Sequence, residues 1–378
     1  KDWLNSGISQ FLDPDLQLFS GPQYLSEKKA NFGMFLDSSP DRWGRLLMLR
    51  REAVIARTAG KKEKLHESDY LLGVFDQCRM GALRFKEDNS GPFLNDNKDL
   101  AIPPWTSLKE LEHASLELER DDITDDPDYL KWLNMLLAPG SSLGGARPKA
   151  SVLDKNNQLW IAKFPSRHDN RDIGAWEMVV NELAKRVGIN IAEGSVQKFS
   201  GRNHTFLSKR FDRTTTGERI HFSSAMALFG YTDETDFHDG VSYLEFAEFL
   251  MKNGANVEKD LAEVWRRIVF SICIRNTDDH LRNHGFLLTE DGWALSPAYD
   301  LNPIETGTGL KLNISENDNS LDLGLALEVA EYFRLDQDKA NQIISTVKKE
   351  VKAWRTLADK YKIPKAEQEM MANAFWSE

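Results

Sequence analysis

Cysteine is almost absent from this chain of 378 residues: Cys78 and Cys273 lie far apart and show no metal-ligand spacing. That excludes a disulfide scaffold and a zinc site, and it fits a reducing, cytoplasmic setting. No apolar run approaches the roughly 18 residues that cross a bilayer, so no membrane association is expected. The opening Lys1-Asp2-Trp3-Leu4 is not a secretory leader, and with no initiator Met further residues are expected to precede it. Positive charge is in deficit, with 48 Lys and Arg against 59 Asp and Glu and a net charge of -11. A broad basic face for nucleic acid is thereby excluded, and any DNA contact is expected to be indirect. The glycine spacings of a P-loop and of a dinucleotide fingerprint are missing, as is a Gly-x-Ser-x-Gly hydrolase elbow. There is no internal repeat.

What is present is enough apolar sequence for a substantial core, in two domains or one large two-lobed one. Asp37-Ser38-Ser39-Pro40-Asp41-Arg42-Trp43-Gly44-Arg45 reads as a turn entering a helix at Leu46-Leu47-Met48-Leu49. The polar stretch from Lys86 to Pro104 reads as a loop or linker, with a boundary near residue 100. Helices are predicted around Leu108 to Leu118 and from Tyr129 to Leu137. Ser151 to Leu153 and Gln158 to Phe164, joined by Asp154-Lys155-Asn156-Asn157, form a hairpin pattern that puts Lys163 on one face with Leu159 and Ile161. Trp176, Val179, Val180, Leu183 and Val187 recur at helical spacing, with Gly188 as the stop. Strands follow at Val196 to Phe199 and Thr205 to Phe211, then a helix from Leu261 to Ile274, and a mostly helical end beyond Ala326.

That last helix before the end runs into Arg275-Asn276-Thr277-Asp278-Asp279-His280-Leu281-Arg282-Asn283, with Leu295-Ser296-Pro297-Ala298-Tyr299-Asp300 close behind. Phosphoryl transfer needs a carboxylate at the acceptor hydroxyl and hard oxygen ligands for magnesium. Asp278 can be the first, Asn283 and Asp300 the second; a polar loop of ordinary function has the same composition. Ser141-Ser142-Leu143-Gly144-Gly145-Ala146-Arg147-Pro148-Lys149 can bring backbone N–H groups to phosphate, with Arg147 or Lys149 adding charge, or be a plain turn. Lys163 can pair with phosphates, held by Glu177 or Glu182 on the next helix, or simply extend its ammonium to water. Glu177 is preferred. Lys209-Arg210-Phe211-Asp212-Arg213 can connect two lobes and receive an adenine, with Asp212 on a ribose hydroxyl, or be a charged strand end. The loop Asp233-Glu234-Thr235-Asp236, with His238 and Asp239, reads as solvated, and His280 with His284 does not make a zinc site.

In their order along the chain these segments resemble the HipA family of bacterial Ser/Thr kinases, the toxins of HipBA-like type II toxin-antitoxin pairs. The likeness rests on Gly144 to Lys149, Lys209 to Arg213, Asn276 to Asn283, Ser296 to Asp300 and the Ser39 to Arg45 segment. It implies an α+β, bilobal protein-kinase-like fold: a mixed N-terminal lobe with an antiparallel sheet and a mostly helical C-terminal lobe. The implied division is 1–100 as a HipA N-terminal subdomain, 101–213 as the nucleotide lobe and 214–378 as the catalytic lobe. Implied roles are Asp278 as catalytic base, Asn283 and Asp300 on Mg2+, Lys163 on the ATP phosphates, residues 144 to 149 as nucleotide loop and Lys209 to Phe211 as hinge. His280 and Tyr299 would lie near the nucleotide. Autophosphorylation is implied at Ser142, with Ser141 as runner-up, expelling the loop and stopping the kinase. The family hinge often has Glu where Lys209 stands, and its usual opening strands are missing before Lys1. Implied partners are a HipB-like helix-turn-helix antitoxin, which would carry most affinity for operator DNA while Lys348 and Lys349 touch phosphate at most locally, and an aminoacyl-tRNA synthetase substrate, the glutamyl enzyme first. Two other readings are a catalytically silent corepressor, against which intact Asp278, Asn283, Asp300 and Lys163 argue, and a magnesium-dependent phosphohydrolase.

Overall fold

Clustered contacts divide the chain into two compact units, one of residues 34–174 and 193–222, the other of residues 1–33, 175–192 and 223–378. The computed structural model describes residues 11–17, 19–26, 29–60, 64–96, 102–140, 145–199 and 201–377. The boundary expected near residue 100 falls inside the first of these units.

That first unit is a four-stranded antiparallel sheet backed by helices. Helices α1 (Arg42–Ala59), α2 (Leu108–Leu118) and α3 (Tyr129–Gly140) are joined by strands β1 (Lys149–Leu153), β2 (Leu159–Lys163), β3 (Gly194–Gln197) and β4 (Thr205–Lys209), ordered β1-β2-β4-β3. The expected hairpin forms, with Val152 opposite Trp160 and Lys149 opposite Lys163. Strand alternation sorts β2 into two faces: Trp160 and Ala162 are buried, whereas Leu159, Ile161 and Lys163 are half-buried. The buried face packs on Trp43 and Leu47 of α1, Leu108 and Leu111 of α2, and Leu133 and Leu136 of α3. Burial of each such side chain is worth roughly 1.5–3 kcal/mol.

Helices and a three-stranded sheet make up the second unit. Helix α4 (Ile173–Arg186) begins at its edge; β5 (Phe222–Ser224), α5 (Leu244–Asn253), α6 (Val257–Cys273), β6 (Gly285–Thr289), β7 (Gly292–Leu295) and α7 (Gln337–Val351) follow, with the sheet ordered β5-β6-β7. Helix α6 is the axis of the core: Leu261, Val264, Trp265, Ile268, Val269, Phe270, Ile272 and Cys273 are all buried. Trp265 Nε1 donates to the Ala326 carbonyl at 2.8 Å, satisfying the one polar atom of a fully buried ring. A rigid helix thus ends where the Asn276–Asn283 loop begins. Among the described residues, no helix is long and apolar enough to cross a membrane.

Candidate functional site

The loop after α6 leaves the helix through Arg275, a non-glycine residue at φ 46°. The Asn276 N–H turns back to the Ser271 carbonyl at 2.9 Å, and Arg275 accepts from the N–H of Ile304 at 3.1 Å. Hydrogen bonds then fold the loop on itself: His280 N–H to the Asp278 carbonyl at 2.9 Å, Asn283 N–H to the His280 carbonyl at 2.8 Å, and Asn283 Nδ2 to the Asp278 carbonyl at 3.0 Å. This last bond spends the amide nitrogen of Asn283 on the loop's geometry and does not use its side-chain oxygen. Arg282 is held by Asp233 and its carbonyl accepts from Tyr299 Oη at 2.6 Å. Asp233 is exposed, as expected of a solvated loop, and from there its carboxylate braces Arg282.

Adjacent aspartates have opposite environments. The Asp278 side chain is exposed, and no described residue bonds its carboxylate. Asp279 is buried; it accepts from Tyr243 Oη at 2.5 Å, lies 3.4 Å from Ser271 Oγ, and faces His284 Nε2 at 3.1 Å, an ion-pair separation without hydrogen-bond alignment. Burial would push the Asp279 carboxyl up, but His284 and the Tyr243 hydroxyl outweigh it and hold it below its ordinary value. Asp279 and His284 bracket the turn that carries Asp278 and Asn283. Sequence reading missed this anchor, whose signal is the doubled Asp and a histidine placed directly after the metal-ligand candidate.

Asp300 occupies the left-handed region at φ 58°, which Asp adopts more readily than most residues with a Cβ. Asn302 Nδ2 donates to the Asp300 carbonyl at 3.3 Å and to its Oδ1 at 3.2 Å, while the Asn302 N–H binds Asn276 Oδ1 at 3.2 Å. The Asp300 turn is thereby tied to the catalytic loop. Asn302 Oδ1 is buried with no donor among the described residues. An amide oxygen, a carboxylate and an orphaned acceptor suit magnesium, which takes few protein ligands and keeps waters. No group of three His, Cys, Asp or Glu able to hold a metal occurs among the described residues; the oxygens this loop and turn could offer a cation are those of Asn283 and Asp300. Gly307 packs against this loop: a Cβ there would lie 2.2 Å from Thr277 Oγ1. Gly307→Ala is expected to cost about 1–3 kcal/mol by overpacking and to lower turnover by displacing Asp278, measured as a melting shift together with a reduced initial rate.

A second group of candidate residues belongs to the first unit. Gly145, at φ 96°, and Ala146 are exposed; Ser141, Ser142, Leu143 and Gly144 lie outside the described residues. Arg147 and Lys149, expected as loop cations for phosphate, are engaged within the unit. Arg147 makes a two-pronged pair with Asp169 at 2.7 and 2.6 Å. Lys149 is buried with its ammonium 3.2 Å from Asp41, and the Pro148 carbonyl accepts from the Phe164 N–H. Asp41 also caps α1 through the Gly44 N–H, and Trp43 Nε1 donates to the Lys149 carbonyl at 3.1 Å. The Ser39 to Arg45 segment thus supports the base of the glycine loop. Asp41→Ala is expected to remove roughly 3–5 kcal/mol, because it strands a buried ammonium and uncaps a helix together; chemical denaturation measures it.

Lys163 sits on the half-buried face of β2, its ammonium 5.8 Å from the Phe206 ring centroid. Glu177 is buried on α4, whereas Glu182 accepts from Lys360 and Tyr361 and is removed from the choice. Phe211, in the connector, packs on Phe222 with centroids 6.0 Å apart. Two connector residues differ from expectation. Asp212 has no exposed surface; its oxygens accept from Arg210, Arg213 and the Gly81 N–H, leaving none for a ribose. Arg210 is equally buried, with further bonds to the Cys78 and Arg79 carbonyls. Burial would raise the Asp212 carboxyl, but Arg210 and Arg213 hold it below its ordinary value. Both residues are internal struts of the connector, and Lys209 stays at the surface, 3.7 Å from Glu193.

An antiparallel sheet with a strand lysine, and a helical unit that carries the Asp278-to-Asn283 loop and the Asp300 turn, make a protein-kinase-like α+β fold. Residues 141–355 match the HipA-like C-terminal domain, and the chain belongs to that family. It is 26% identical over 228 residues to the serine/threonine-protein kinase toxin HipA of Shewanella oneidensis, covering 53% of this chain and 51% of that protein. A Haemophilus influenzae relative is 26% identical over 179 residues, covering 43% and 52%, and Toxin YjjJ of Escherichia coli is 23% identical over 303 residues, covering 77% and 62%. The chain spans about half the length of the first two relatives. Its fold is that of the HipA chain in the Shewanella oneidensis complex of HipA, HipB and operator DNA, with a TM-score of 0.64 at 19% identity, covering 99% of this chain and 88% of that one.

Proposed function

We propose that this chain is an ATP- and Mg2+-dependent serine/threonine protein kinase and the toxin of a HipBA-like pair. The observation that carries the reading is the exposed Asp278 carboxylate, without a partner on a loop whose other members are tied down. A carboxylate left open there is a general base for an incoming hydroxyl: the serine or threonine oxygen bonds to the γ-phosphorus, the bond to the ADP oxygen breaks, and Asp278 takes the hydroxyl proton. Mg2+, when bound by Asn283 and Asp300, supplies neutralising charge for the phosphates. Lys163 would add charge to the phosphates with Glu177 positioning it, the backbone of Gly144 to Lys149 would cradle them, and the connector from Lys209 to Phe211 would face the adenine, with His280 and Tyr299 near the nucleotide.

The segment division follows the same reading: 1–100 as HipA N-terminal subdomain, 101–213 as nucleotide lobe, 214–378 as catalytic lobe. Ser142 is the site of self-inhibiting phosphorylation, since a phosphate of nearly two negative charges on a phosphate-binding loop repels what the loop holds. The partner is a HipB-like helix-turn-helix antitoxin; with the chain at net charge -11, operator DNA is reached mainly through it. The substrate is an aminoacyl-tRNA synthetase, glutamyl first, in the cytoplasm. Incubating the protein with ATP, Mg2+ and purified synthetases and then measuring aminoacylation tests this: glutamylation falls while other charging persists. Unchanged charging of every tRNA would refute the substrate.

A further inference from the structure

The sheet unit holds a second concentration of charge, of the sign the whole chain lacks. Five guanidiniums, from Arg79, Arg84, Arg210, Arg213 and Arg219, meet three carboxylates, Asp76, Asp96 and Asp212, leaving an excess of two positive charges in a protein of net charge -11. Asp212 is consumed by Arg210 and Arg213. Arg79 lies inside the unit, donating to the carbonyls of Ser38, Leu71 and Val74. Arg84 and Arg219 are left to share Asp76, at 2.5 and 3.0 Å.

Arg219 is the informative member. One of its terminal nitrogens donates to the Asp76 carbonyl and carboxylate; the other, Nη1, is buried without a partner among the described residues. A buried guanidinium nitrogen left unbonded forfeits its hydration for nothing. Crowding tells the same story at Arg213, which burial first and the neighbouring Arg210 second push down to about 10. These cations border an open cavity of about 480 Å³, whose lining includes Arg84, Arg213, Arg219 and Lys209 together with the carboxylates of Asp76 and Asp96, so the cations remain in excess. Ile102, Leu153 and Leu159 form an apolar wall, and Thr215 stands exposed at the rim. That size and mixture suit a small ligand with one charged end.

We propose that this cavity is a binding site for a phosphorylated small molecule, its phosphate on Arg84, Arg219 and Lys209 and its apolar or planar part against the leucine wall. Guanidiniums are matched to phosphate oxygens in geometry and weak hydration, and a dianion would cancel the excess charge. The site lies wholly within the sheet unit and does not rest on the kinase reading, although it shares Lys209 with the connector.

The test titrates inorganic pyrophosphate into the full chain by calorimetry, without magnesium. Saturable binding is expected, weakened at least tenfold by Arg219→Gln and by Thr215→Glu, which puts a carboxylate at the exposed rim without touching the buried cluster. Binding should persist in the Lys163→Met, Asp300→Asn double variant. Absence of saturable binding, native-like binding by Thr215→Glu, or loss of binding in the double variant would each overturn a separate phosphate site.

Discussion

Asp278→Asn melts with the native protein and loses phosphoryl transfer by roughly two to four orders of magnitude, the usual contribution of a positioned general base. Both halves follow from where the side chain sits. Its carboxylate is exposed and bonds to no described residue, so the fold loses nothing when the charge is removed. The amide has almost the same shape but no proton affinity at neutral pH, so the hydroxyl keeps its proton. The Asn283 bond to residue 278 uses the backbone carbonyl and survives the change. Paired thermal melts and initial rates with a peptide acceptor check the prediction; a large fall in melting temperature would mean that Asp278 is structural.

Asp279→Ala does the opposite in the first measurement and the same in the second. Removing the buried carboxylate strands the Tyr243 hydroxyl and the facing His284 ring, at a cost of about 3–5 kcal/mol. Turnover falls too, because the turn carrying Asp278 and Asn283 is no longer anchored, and a misplacement of about 1 Å can cost a hundredfold. Asp279 also gives acid sensitivity with a definite sign. Its folded-state value lies below the ordinary carboxylate value, so its contribution is fully present above the unfolded value near 3.8 and is lost as pH falls through the folded one. Native protein should therefore lose stability below about pH 4, and the part due to this residue should vanish in Asp279→Asn. Parallel acid-denaturation curves for the two would contradict the anchor.

Much of this was legible where the information is local. The hairpin shows in two short apolar runs around Asp154 to Asn157, and α4 in the helical recurrence of Trp176 to Val187. Asp278, Asn283 and Asp300 stand out in the sequence because phosphoryl transfer calls for such oxygens, and the structure ties the backbone of residue 278 to Asn283 and the Asp300 turn to Asn276 through Asn302. What escaped depends on partners distant in the chain. Asp212 looks like a ribose ligand until the Gly81 N–H, 131 residues away, and two arginines claim it. Lys149 looks like a phosphate cation until Asp41, 108 residues away, pairs with it. Asp279 was hidden for another reason: two adjacent aspartates are equivalent in sequence, and only burial of one and exposure of its neighbour separates anchor from base.

Kinase activity itself is the central claim, and one measurement reaches it without knowing the substrate. Purified protein is incubated with labelled ATP and Mg2+, with Asp278→Asn alongside, and the peptide spanning residues 138–150 is analysed by mass spectrometry. The account predicts phosphate on Ser142 in the native chain and none in the variant. A native chain that binds ATP yet places no phosphate on itself or on added serine and threonine acceptors would contradict it.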